Sequence, residues 1–328
     1  MRQGKNPYKG RVKKFAPQKV TVILITCIPH FEGYFKGSLD VLKLCLGSLW
    51  KNTDLPFDLM VVDNGSTEKV TRYLLHLKDK NLIQYLILNS TNIGVFNAYN
   101  IAFPSAQGEY IAYSDQDCFY YPGWLSKHLE VFETFPNVGS VSGKYVSGGH
   151  HIENTLKTIK SNPWKTERFT VPKDWNEEWA KGLGDDPEEF LKRPDVLNCQ
   201  TYLVEKDGVK VFPGGCGFQF MTRRKVIQRF LPLQYPSFVG GGDSLLHKMI
   251  DEAGYLRLTT FEKCTMHMGN SITEDWIQEA MKYGISVEDV HFIHKPQIQI
   301  GKPWYVKNKF VMRTLNRIYD KIFKMLYT

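Results

Sequence analysis

Val20 to Thr26 reads VTVILIT, an uncharged run in which all but one residue is β-branched. Such a run suits a strand buried on both faces, as in a parallel sheet. The next stretch changes period: Leu39, Leu42, Leu46 and Leu49 recur at helical spacing. The pair then repeats. Phe57 to Val62 is a second strand, followed by a helix with Val70, Tyr73, Leu74 and Leu77 on one face and Ser66 or Thr67 as its cap. Ile83 to Leu88 is a third strand, and Asn92-Ile93-Gly94 opens another helix. Tyr110 to Tyr113 is the fourth strand. Strand–helix alternation of this kind predicts an α/β fold with a mostly parallel sheet, flanking helices and right-handed crossovers.

The fourth strand ends in two acids one residue apart, Asp115 and Asp117. Ligands of open α/β sheets bind beyond the carboxyl ends of the strands. Thr26, Asp63 and Asp115 all fall in such loops, so the topology predicts that they share one crevice. Carboxylate oxygens are the usual ligands of hard divalent cations. Asp also favours plain turns, so an isolated D-x-D is a metal site only in a fitting context. No G-x-G-x-x-G follows the first strand and no G-x-x-x-x-G-K-[ST] occurs, which argues against a dinucleotide fingerprint and a P-loop.

The chain of 328 residues has room for one large domain with appendages. Its net charge of +8 is unevenly placed: the first 19 residues and residues 302–328 together carry +13, leaving −5 for residues 20–301. That distribution argues against a nucleic-acid groove in the body. Residues 1–19 read as a flexible basic arm without the apolar region of a secretory signal. No apolar run approaches the roughly 20 residues that span a bilayer. Six scattered cysteines without a C-x-x-C pair read as reduced thiols in a cytoplasmic protein.

Residues 143–213 have weak periodicities, with Trp164, Trp175 and Trp179 among charges, Pro and Gly. They read as an irregular insertion whose Trp residues pack locally, or as a lid over an acceptor. Phe218 to Met221 is a further strand, with Arg223 and Arg224 after it. Asp243, behind three glycines, opens a helix; Leu256 to Phe261 is another strand, and residues 273–283 are helical. His267 lies between two Met. His291 and His294 read as structural. Residues 301–328 form a basic amphipathic helix with Val306, Phe310, Leu315, Ile318, Ile322 and Leu326 near one face. That helix either packs on the body or makes peripheral contact with the inner face of a membrane through 302–328.

In order and spacing, VTVILIT, VVDNGST, NIGVFNAYNIA, GEYIAYSDQD, GGGDSLLHKMIDEAGY and HMGNS resemble the GT-A-fold glycosyltransferases, specifically the large inverting family two. The resemblance covers about Lys19 to Ser271 and implies a GT-A domain over 20–300. It implies donor contacts at Thr26, Asp63, Asn92, Gly94 and Asp115, with Asp63 at the base or ribose. It implies a metal, Mn2+ or Mg2+, held by Asp117 with Asp115 and His267, and Asp243 as the catalytic base. One departure stands beside that base: Gly242 occupies a position where many members carry an acid.

The expected activity is metal-dependent transfer of a sugar from a nucleotide-diphosphate sugar to an acceptor hydroxyl, with inversion. The acceptor is a glycan, a lipid-linked sugar or a protein. Arg223 or Arg224 could assist the leaving diphosphate. The alternatives are a nucleotidyltransferase acting on sugar phosphates and a non-catalytic sugar-nucleotide-binding protein. The first would carry a glycine-rich basic loop after the first strand, where this chain reads CIPHFEGYFKG.

Overall fold

The run VTVILIT forms strand β1 (Val20–Thr26) at the middle of a parallel block. The structure, a computed structural model, describes residues 15–147, 151–197, 199–234 and 242–285, with single positions 314, 317, 318, 321 and 325. Of residues 242–244 it describes the backbone only. After β1 come α1 (Ser38–Asn52), β2 (Asp58–Asn64), α2 (Glu68–Asp79), β3 (Tyr85–Asn89), α3 (Val95–Ser105) and β4 (Tyr110–Asp115). Each strand of this block pairs in parallel with its neighbour, in the order β3-β2-β1-β4. Alternate residues of β1 serve opposite faces. Val22 and Leu24 pack with α1 and α2, whereas Ile23 and Ile25 pack with α3. Full burial of one such side chain contributes about 1.5–3 kcal/mol.

Short strand β5 (Cys118–Tyr120), helix α4 (Trp124–Thr134) and β6 (Val138–Ser142) follow. Residues 143–213, expected to be irregular, are mostly regular: α5 (Glu153–Ser161), β7 (Lys165–Thr170), α6 (Lys173–Leu183), α7 (Pro187–Leu191), β8 (Gln200–Lys206) and β9 (Val209–Pro213). The physical reason is that β7 is an edge strand. Five of its six residues are exposed, so charges and polar groups hide the pairing that orders it. The chain closes its described body with β10 (Gln219–Arg223), α8 (Arg224–Ile227), α9 (Gly242–Glu252), β11 (Leu256–Thr260), β12 (Thr265–His267) and α10 (Glu274–Lys282).

The main sheet has ten strands in the order β3-β2-β1-β4-β10-β6-β11-β9-β8-β7. β10 runs antiparallel to both β4 and β6, β11 is parallel to β6, and β9, β8 and β7 alternate beyond it. Seven of the ten strands therefore share the direction of β1. A separate two-stranded sheet pairs β12 with β5. The Trp residues of 143–213 divide. Trp175 packs in a local cluster, while Trp164 and Trp179 join the main core.

All six cysteines are free thiols. Among the described residues, no helix is long and apolar enough to cross a membrane. His291 and His294 lie outside the described residues, as do residues 1–14 and most of 301–328. Thr314, Arg317, Ile318, Lys321 and Met325 are helical and exposed.

Candidate active site

The sheet register assembles the crevice. Thr26 pairs with Asp63 on one side of β1, and Ile25 pairs with Asp115 on the other. The two acids are thus separated by two strand spacings, about 10 Å. Gln116, between the acids of the D-x-D, reaches back across this end. Its Oε1 accepts from the Thr26 hydroxyl and from the Cys27 backbone N–H at 3.1 Å. Thr26 is fully buried, so its hydroxyl is committed to the scaffold.

Asp63 is only 2% exposed. One carboxylate oxygen accepts from the Ser66 N–H at 2.9 Å and the other from the Thr71 hydroxyl at 2.7 Å. Beside it, Asn64 Oδ1 accepts from Asn89 Nδ2 and from the Ile93 N–H, each at 3.1 Å. Asn64 Nδ2 donates to Asn92 Oδ1 at 3.0 Å, and that oxygen also accepts from the Gly94 N–H at 2.8 Å. These bonds tie the ends of β2 and β3 into one plate. Gly65, at φ +82°, completes it: a Cβ there would lie 2.5 Å from the Asn92 backbone nitrogen.

The other side of the crevice is built differently. Pairing of His267 with Cys118 brings β12 alongside the residue after Asp117, and the Met268 N–H donates to the Asp117 carbonyl at 2.7 Å. His267 Nδ1 lies 2.9 Å from the Gly182 carbonyl oxygen. A carbonyl only accepts, so Nδ1 carries the hydrogen. Nε2 of the neutral ring is then an acceptor, and it faces Asp117 Oδ2 at 3.2 Å. Two acceptors at that distance need a proton or a cation between them. Burial pushes the Asp117 carboxyl up to about 7 and lowers His267 from its ordinary value. Both shifts favour a neutral pair holding one proton. Asp117 Oδ1 is buried without any hydrogen-bond partner.

Asp115 stands nearby, its Oδ1 accepting from the Tyr113 hydroxyl and its backbone N–H donating to Phe218 at 2.8 Å. Among the described residues, no group of three or more His, Cys, Asp or Glu is arranged to hold a metal. Asp117 and His267 are the two that face each other, and Asp115 lies close enough for its charge to act on His267. Tyr34 also belongs here. Partial desolvation, and then the charges of Asp117 and Asp115, raise its phenol above the ordinary value, although Tyr34 is 66% exposed. Asn270 Nδ2 pins the loop by donating to the Tyr34 carbonyl at 2.9 Å. A cleft of ≈ 930 Å³ opens beside His267, walled by Tyr34, Glu178, Lys181, Lys263 and Trp276.

Two expected participants stand elsewhere. Arg223 pairs with Tyr110, at the opposite end of β4 from Asp115. It donates to the Phe132 carbonyl at 3.0 Å and pairs with Glu109 at 3.4 Å, and Arg224 donates to the Ala106 carbonyl. The antiparallel register of β10 puts both far from any leaving group in the crevice. Asp243 lies in the first turn of α9, with its side chain outside the described ones.

The family model for glycosyl transferase family 2 matches residues 27–231, more than half of the chain. The chain belongs to glycosyl transferase family 2. An uncharacterized glycosyltransferase of Nostoc sp. is 29% identical over 112 residues, 34% of this chain and 32% of that protein. One from Haemophilus influenzae is 34% identical over 85 residues, 26% of this chain and 32% of that protein. The matched part thus spans about a third of the length of these relatives. Among solved structures, the mannosyltransferase PcManGT from Pyrobaculum calidifontis, in complex with GDP-Man and Mn2+, is 17% identical with a TM-score of 0.45. That match covers 78% of this chain and 60% of that one. S. aureus TarS 1-349 is 16% identical with a TM-score of 0.45, covering 81% and 64%.

In this glycosyl transferase family 2 chain, Gln116, Gly182 and Tyr34 border the crevice without being singled out by pattern, and Trp179, expected to pack locally or in a lid, meets the His267 ring. Gln116 had a signal, its place between two acids at a strand end. Gly182 had none, because its partner His267 is 85 residues away.

Proposed function

We propose that this crevice transfers a sugar from a nucleotide-diphosphate sugar to an acceptor hydroxyl, with a divalent cation held by Asp117 and His267 and with inversion at the anomeric carbon. The observation that carries the reading is the pair of opposed acceptors, Asp117 Oδ2 and His267 Nε2 at 3.2 Å, beside the unpartnered Oδ1. An oxygen and an imidazole nitrogen suit Mn2+ better than Mg2+, which prefers oxygen ligands. When bound, such a cation neutralises charge building on a leaving diphosphate.

The chain's own residues supply the rest. Asp63 and the Asn64–Asn92 plate shape the nucleotide end, with Asp63 holding the Ser66–Thr71 turn. Asp115 borders the donor sugar. Asp243, in the first turn of α9, takes the proton of the attacking hydroxyl; Gly242 leaves it as the one acid there. The cleft beside His267 receives the acceptor. Peripheral contact with a membrane surface through 302–328 is part of this reading, supported by Ile318 and Met325, two helical positions that are 48% and 84% exposed.

General-base assistance is worth ~100- to 10,000-fold. Asp243→Asn is therefore expected to keep Mn2+-dependent nucleoside-diphosphate binding and to lose at least ~100-fold in transfer. Undiminished turnover in that variant removes Asp243 from the mechanism. Asp117→Ala is expected to abolish the Mn2+ dependence of UDP or GDP binding in titration calorimetry, and unchanged binding removes the cation assignment.

A further inference from the structure

We infer that helix α6, inside the 143–213 segment, sets the tautomer of His267 through the Gly182 carbonyl and thereby makes the Asp117–His267 pair competent to hold a cation. The inference rests on the cation reading given under Proposed function. Gly182 is a positioning residue here, acting through His267.

The geometry carries the argument. Gly182 lies in the last turn of α6, where carbonyls have no partner within the helix. Its oxygen is given to His267 Nδ1 at 2.9 Å. With the hydrogen held at Nδ1, the lone pair of Nε2 is aimed at Asp117 Oδ2. The opposite tautomer would place an N–H in that gap, where it would donate to Asp117 and close the space to a cation. A histidine that ligates a metal characteristically donates its other ring N–H to a carbonyl or carboxylate, and loss of that partner costs 10- to 100-fold in metal affinity.

Close packing makes the arrangement specific to this helix. A Cβ at Gly182 would lie 2.5 Å from the His267 carbonyl oxygen, and one at Gly269, at φ +80°, would lie 2.8 Å from the Gly182 oxygen. Only two glycines let the helix end approach β12 this closely. One turn earlier, Trp179 stacks on Phe218 with centroids 5.6 Å apart and meets the His267 ring edge-on at 5.8 Å. Phe218 closes another side of the imidazole at 5.4 Å. Helix α6 is itself held down by Glu178, which pairs with the nearly buried Lys144 at 3.4 Å and with Lys263 at 3.1 Å. The segment that extends the sheet beyond the parallel block therefore completes the cation pair.

The test has two independent readouts. Long-range 1H–15N NMR of the full chain in chelator reads the His267 tautomer directly, and calorimetry reads Mn2+ affinity in the presence of UDP or GDP. Wild-type protein is expected to show a protonated Nδ1 and a bare Nε2. Gly182→Ala is expected to mix the tautomers and weaken Mn2+ at least ~10-fold. Should Gly182→Ala fail to fold, Trp179→Leu, which loosens the same helix end, is expected to shift both readouts in the same direction. A wild-type His267 protonated at Nε2 overturns the inference whatever the metal does. Wild-type protein with the expected tautomer but no Mn2+ affinity overturns the cation reading instead. A folded Gly182→Ala or Trp179→Leu with unchanged tautomer and unchanged affinity overturns the role of α6.

Discussion

The two sides of the crevice are built on opposite principles. On the proposed nucleotide side, Thr26, Asp63, Asn64 and Asn92 spend their polar atoms on neighbouring side chains and on the backbone. On the proposed cation side, Asp117 keeps one buried oxygen without a partner and aims the other at a second acceptor. A satisfied polar network rigidifies; a half-satisfied one is costly unless something arrives to complete it. The contrast separates scaffold from site more sharply than residue type does, because both sides carry a strand-end Asp. It also predicts that substitutions on the two sides change stability with opposite signs.

The largest effect is expected at Asp63. Asp63→Ala removes both acceptors of the Ser66 N–H and the Thr71 hydroxyl and leaves a void in a site 2% exposed. Hydrogen bonds to a charged group are worth about 1.5–3 kcal/mol each, so a loss of about 3 kcal/mol or more is expected in urea unfolding. A ligand-only role for Asp63 would instead leave the unfolding midpoint unmoved.

His128 tests the scaffold from another side. It is fully buried in α4, its Nδ1 at 2.6 Å from the Trp124 carbonyl and its Nε2 near Gln219. Burial lowers it to about 4 from an ordinary 6.5. A depressed folded value means that stability is complete above about 6.5 and drains away as pH falls toward 4. At pH 5 the loss is about 2 kcal/mol. Asp117 titrates in the opposite sense over part of this range, so the difference between wild type and His128→Gln isolates the term. Parallel stability curves for the two proteins from pH 7 to 5 would show that His128 does not titrate with unfolding.

Much of this was legible in the chain, and the exceptions share a cause. β1 to β4 and the acids at their ends announce themselves through local runs and turns, since each strand is bounded by its own helix. Thr26, Asp63 and Asp115 reach one crevice because parallel topology demands it. β7 was not legible: its KTERFT sequence is exposed, and its order comes from β8, 30 or more residues on. The misplaced Arg223 has a related origin, since nothing local reveals that β10 enters antiparallel and turns its end away from the crevice. Asp117 was legible as an acid, yet its unpartnered oxygen depends on β12 and α6, which arrive from distant sequence.

The smallest expected effect is the most diagnostic, because it runs against the usual direction of mutation. The Asp117 carboxyl is raised by burial from 3.8 to about 7. A raised folded value means that its favourable contribution is complete below 3.8 and is lost as pH rises through about 7. Above that pH the apo protein holds a buried carboxylate against a neutral imidazole. Asp117→Asn mimics the protonated acid: its amide N–H can donate to His267 Nε2 without charge. In chelator at pH 8 the variant is expected to be more stable than wild type by about 1–2 kcal/mol, the cost of an ill-satisfied buried group. At pH 4 the two should melt together. Function would then be bought with stability at this residue, as sites that await a ligand commonly require. If Asp117→Asn is destabilised equally at both pH values, Asp117 is a structural residue and the two sides of the crevice do not differ.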